Sequence, residues 1–198
     1  MQKKNLSAPT RPPLFGNLRV LCAAAMLIAL SVVLGKYLAV STPIFRFSLE
    51  NLPILMAGLF FGPVIGGVVG ITADLIGCAI MSYAINPFIT LGAALIGILP
   101  GLISLFATRG GKPLTPVVVC LSVAAAHIVG SMTVKTIGLA IYTSTGTDKL
   151  LFRIPLYIVI GTVECVLLLL LTRNKLFMGE LHRLMFRKIR RKDRKEEK

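Results

Sequence analysis

Four ionisable side chains stand inside or at the edge of long apolar runs: Asp74, Lys135, Arg153 and Glu164. A charge at the centre of a bilayer costs about 2.5–3.5 kcal/mol even on translocon-insertion scales, so such groups are candidate sites by default. Asp74 and Glu164 fall near the middle of their runs, and Lys135 and Arg153 nearer an end. Beside them lies a polar patch, Arg46, Ser48, Glu50 and Asn51, set directly against another apolar run. A structural reading competes at each position. Asp74 would bond to a neighbouring helix, and Glu164 would pair with Lys135 or His127. Enzyme constellations are missing: there is no GxSxG, HExxH or Walker A motif and no acidic cluster for metal-assisted phosphoryl transfer. No cofactor or metal is expected.

The elements that must position these groups are membrane spans. The chain is 198 residues long and 55% hydrophobic, with a mean hydropathy of +0.82, far more apolar than a soluble domain. The first span runs over about residues 18–38, the length a bilayer core requires. Its Ala25/Ala29 and Ser31/Gly35 pairs stand four apart and give small-residue faces for docking a helix of this chain or of a partner. Gly62-Pro63 cuts the next run into a short helix from Leu52 to Phe61 and a longer one from Val64 to Ser82. Gly62, Gly66 and Gly70 share one face, as do Ala93, Gly97 and Gly101 of the fourth span, 88–108, which follows an Asn86-Pro87 breaker. The fifth span, 117–142, is unusually polar, with Ser122, His127, Ser131, Thr133, Lys135 and Thr136. The sixth covers 152–171. Cys22, Cys78, Cys120 and Cys165 fall in separate apolar segments and read as buried free thiols.

The expectation is therefore an all-α integral membrane protein with six transmembrane helices over residues 18–172. Residues 1–17 form a disordered tail and 173–198 a basic amphipathic one. Six spans put both termini on one side. Of the 22 Lys and Arg, 17 then lie on that side, counted over residues 1–19, the 109–116 loop and residues 173–198. The positive-inside rule makes that side cytoplasmic, in a bacterial plasma membrane. In the C-terminal segment Phe177, Leu181, Leu184, Met185 and Ile189 recur at helical spacing among basic residues. They suit a helix lying on anionic lipid, and nucleic acid is not an expected partner.

The sequence resembles the substrate-binding S components of energy-coupling factor (ECF) vitamin transporters, through Ala25/Ala29 and LPILMAGLFFGPVIGGVVG. FRFSLENLPI, the ADLIG around Asp74, YAINPFITLGAALIG and RIPLYIVI are similar to its folate-family members. The resemblance implies a non-enzymatic subunit that captures folate or reduced folates outside. It would hand them to a shared module of a transmembrane coupling protein and two ATPases, docking through Ala25 and Ala29. A folate carries a flat pterin with a donor-rich edge and a glutamate with two carboxylates. Glu164 or Asp74 suits the pterin edge, and Arg46, Lys135 and Arg153 suit the carboxylates. Phe47, Tyr83, Tyr142 and Tyr157 are stacking candidates, and Ser48, Asn51 and Asn86 hydrogen-bonding ones. Another vitamin, or an independent small carrier, is the alternative.

Overall fold

The structure, a computed structural model, describes residues 18–41, 46–108, 114–143, 153–174 and 176–179. Helix α1, Leu18–Val32, continues into one π-helical turn, Val33–Tyr37. Two two-residue strands follow, Val40–Ser41 and Arg46–Phe47, paired antiparallel with Val40 opposite Phe47. Then come α2 (Asn51–Phe61), α3 (Pro63–Met81) and α4 (Pro87–Ala107). A long element is built from α5 (Pro116–Ala125), a π-helical segment (Ala126–Val134) and α6 (Lys135–Thr143). Helix α7 is Arg153–Arg173.

Among the described residues, five helices are long and apolar enough to cross a membrane, and α2 is not one of them. Its 11 residues rise about 16 Å, roughly half of a hydrocarbon core. Five spans thus stand among the described residues, and α2 is the short helix expected over Leu52 to Phe61. The physical cause is visible at both ends. Gly62, at φ 99°, turns the chain in a region open to glycine, and Pro63 starts α3. At the other end Ser31 Oγ donates to the carbonyl of Glu50 at 2.6 Å. Ser31 lies six residues before Tyr37, so α2 begins roughly 9 Å below the end of the first span. The non-helical chain ahead of α2 therefore runs inward, which membranes tolerate only where such backbone is buried in protein or lines a cavity. Ser48 and Asn51 are buried accordingly.

The glycine faces expected on the third and fourth spans meet each other. A Cβ on Gly97 would strike the backbone of Gly66, one on Gly70 the carbonyl of Ala93, and one on Gly101 the backbone of Pro63. The opposite face of α3 (Val64, Val68, Ile71, Leu75) is exposed and apolar, as a lipid-facing surface must be. Helix α4 starts on the expected Asn-Pro signal: the Asn86 side chain accepts from Phe88 N at 3.0 Å, with Pro87 next.

Ser31 and Gly35 are buried against Glu50, so of the two docking alternatives this small-residue pair takes the one inside the chain. Two further expectations change. Phe177 sits in a helical turn over 176–179 and packs edge-on against Phe60, with centroids 5.9 Å apart. It belongs to the core rather than to a leaflet surface. All four thiols are free, but Cys22 and Cys120 are exposed and only Cys78 is buried. The tails 1–17 and 180–198 and the 109–113 segment lie outside the described residues.

Candidate binding site

Two buried polar clusters face inward from the long α5–α6 element. Residues four apart on a helix share a face, and His127, Ser131 and Lys135 are all buried. The segment between them is wound wider than an α-helix. Thr133 Oγ1 donates to the carbonyl of Ile128 at 2.8 Å and Thr136 Oγ1 to that of Ser131 at 3.2 Å, each five residues back. These hydroxyls help satisfy carbonyls in the widened turns, and π segments of this kind occur often at functional sites.

In the first cluster His127 Nε2 lies 2.6 Å from Glu164 Oε2 on α7, and Ser131 Oγ 3.3 Å from His127 Nδ1. With the serine hydroxyl donating, the imidazole accepts at Nδ1 and donates from Nε2, a tautomer assigned from its partners. Tyr157 stands beside the imidazole, ring centroids 6.1 Å apart. Glu164 is fully buried, and its Oε1 has no hydrogen-bond partner among the described residues. An orphaned carboxylate oxygen in an apolar interior is costly, and it leaves an acceptor with spare capacity.

The second cluster gathers around Lys135, the last polar residue on the shared face. Its Nζ donates to Asn51 Oδ1 at 3.4 Å and lies 3.7 Å from Glu50 Oε1. Ser31, Lys36, Glu50, Asp74 and Lys135 line one small cavity between α1, α2, α3 and the long element. The space open to the centre of a water-sized sphere there is about 10 Å³, room for a single water. Two ammonium groups and two carboxylates therefore balance within one pocket. Asp74 is fixed by Thr90 Oγ1, which donates to its Oδ2 at 2.6 Å, the bond to a neighbouring helix that the structural reading foresaw.

Of the sequence candidates, Asn51, Asp74, Lys135, Tyr157 and Glu164 fall in these clusters, with Ser48 buried and Phe47 half-buried. Asn86 serves the scaffold: its oxygen caps α4, and its Nδ2 donates to the Gly138 carbonyl at 3.1 Å. Tyr83 and Tyr142 are largely exposed, Tyr142 leaning on Phe88 and Tyr83 under the Lys36 ammonium. Tyr142 joins neither cluster, and Tyr83 touches the second only through Lys36. The side chains of Arg46 and Arg153 lie outside the described residues. Glu50, Ser31 and Lys36 were missed. Glu50 had a signal, since it sits inside the polar patch next to Asn51. Ser31 had none, because a serine four residues from a glycine reads as a small-residue packing face.

Polar groups buried among apolar spans are costly, and these two clusters are the candidate site of the chain. Residues 19–179 match the family described as ECF transporter, substrate-specific component. The chain belongs to that family. This S component is 31% identical over 137 residues to the folate transporter FolT of Clostridium novyi (strain NT), covering 69% of this chain and 76% of that one. Its fold is similar to a crystal structure of FolT bound with folic acid, with a TM-score of 0.62 and 20% identity. That match covers 74% of this chain and 87% of that one. It is also similar to the S component of a bacterial ECF transporter, with a TM-score of 0.60 at 20% identity, covering 79% and 94% of the two chains. At these identities the two structures speak for the fold. The S component is a membrane protein of a transporter family.

Proposed function

We propose that this S component is the folate-binding subunit of an ECF importer, in the plasma membrane with both termini cytoplasmic. The observation that carries the reading is the 31% identity with a folate transporter across most of both chains. The site chemistry agrees with it. Glu164 Oε1, buried and lacking a partner, is an acceptor for the amino and ring N–H groups of a pterin. Lys135 is a cation for the glutamate carboxylates. Tyr157 and Phe47 offer flat faces between the two ends. Arg46 and Arg153 remain proposed carboxylate partners at the mouth. The basic 180–198 segment is proposed to lie on anionic lipid.

Transport would need a coupling membrane protein and two ATPase subunits. Ala25 and Ala29, both exposed on α1, would form the docking face, where small side chains let a partner helix come close. Calorimetry on the purified chain tests the ligand. We expect 1:1 binding of folic acid and 5-formyltetrahydrofolate without ATP. Equal or tighter binding of riboflavin, thiamine or pantothenate would remove the folate assignment and leave the family intact.

A further inference from the structure

The pocket around Lys135 is already full. Two cations, Lys36 and Lys135, and two acids, Glu50 and Asp74, line a space of about 10 Å³. A ligand carboxylate can approach Lys135 only if one of these side chains leaves. Bringing in a further negative charge also unbalances a pocket that is now neutral, at a cost that rises as water is excluded.

The four groups are not held equally. Asp74 is fixed by the 2.6 Å hydrogen bond from Thr90. The stem of Lys135 packs against Gly92, and the stem of Lys36 packs against Gly77 with its ammonium over the Tyr83 ring. Glu50 is the loosest. Its side chain is 29% exposed against 8% for Lys135, and its carboxylate stands 3.7 Å from the ammonium, beyond a good hydrogen bond. Its backbone, in contrast, is pinned by Ser31. The side chain can therefore swing on a fixed hinge. Gly35 makes its present position possible, because a Cβ there would stand 2.5 Å from Glu50 Oε2.

We propose that Glu50 is a displaceable counter-ion, whose carboxylate holds Lys135 until a carboxylate of the ligand takes its place. The inference rests on the folate reading and adds a residue that sets specificity. A ligand lacking a carboxylate at this depth would leave Lys135 with Glu50 and gain nothing from the cation. A ligand that brings one must compete with Glu50. That competition lowers apparent affinity by the fraction of molecules in which Lys135 is free.

The test is equilibrium binding of folic acid and of 6-hydroxymethylpterin, which carries the pterin edge and no carboxylate, to the full chain in detergent. The proteins are the parent, Glu50→Gln, Glu50→Ala, Lys135→Met and the Glu50→Gln/Lys135→Met double variant. A partly exposed ion pair is worth up to about 1 kcal/mol, so removing the competitor should tighten folic acid roughly two- to fivefold. The affinity for 6-hydroxymethylpterin should stay unchanged, and the gain should vanish when Lys135 is already Met. Glu50→Ala supplies the same reading should the Gln variant fail to fold. Weaker binding of both compounds would make Glu50 a direct ligand contact and overturn the inference. So would no change, or a gain that survives without Lys135. If the parent bound neither compound, the folate reading itself would fall, a result separate from all of these.

Discussion

The α3–α4 contact and the contact of the α5–α6 element with α7 hold this chain together by opposite means. Where α3 meets α4, glycines bring backbone onto backbone: Gly66 on Gly97, Gly70 on Ala93, Gly101 on Pro63. Where the long element meets α7, a histidine–glutamate pair and a serine bridge the helices. In lipid no hydrophobic drive separates helix from solvent, so close van der Waals packing and polar bonds are the remaining forces. The glycine contact has one geometry and tolerates no added atom. The polar contact has spare bonding capacity in Glu164 Oε1. One region is built to stay, and the other to receive something.

The comparison breaks first at the glycine contact. Gly97→Val places side-chain atoms in the backbone of α3, and overpacking at such a site costs about 3 kcal/mol or more. We expect no folded protein, read as loss of a monodisperse peak and of a cooperative melt in detergent. A well-folded variant with parental ligand affinity would mean that the helices slide apart easily.

Next in size is assembly. Ala25→Trp should abolish copurification with the coupling module while leaving ligand affinity within about twofold, since Ala25 faces outward. Loss of ligand binding together with the fold would place Ala25 inside the molecule.

At the polar contact the expected effects are smaller. Glu164→Gln removes a charged acceptor and should weaken folic and pteroic acid alike. The loss is about 1.5–3 kcal/mol, roughly ten- to a hundredfold. Lys135→Met should weaken folic acid by about tenfold and hardly touch 6-hydroxymethylpterin, which has no carboxylate. If affinities hold within twofold while melting temperatures fall, these charges are scaffold, and a His127/Glu164 double variant should recover part of the stability.

The smallest effect belongs to a side chain on the scaffold itself. Asn86→Ala removes the α4 cap and the bond to Gly138. The cost should be about 1–2 kcal/mol of stability, seen as a lower melting temperature with little change in ligand affinity.

Local signals in the sequence were enough to fix most of the architecture. Apolar runs of span length, Gly62-Pro63, Asn86-Pro87 and the glycine ladders are short-range patterns, because hydropathy and helix breaking act over a few residues. They determined where the helices lie and which faces of α3 and α4 meet. The charged residues inside the runs were equally legible, since membrane burial makes them conspicuous. Their partners were not. Whether Glu164 takes His127 or Lys135 depends on how α7 rotates against the long element, and no local pattern sets that rotation. The depth at which the short α2 begins hangs on Ser31 holding Glu50 across 19 residues of sequence, and the widened turns after Ala125 hang on hydroxyls reaching five residues back. Pairings across helices are decided by packing in three dimensions. Only the tertiary structure could decide that Glu50 stands at Lys135.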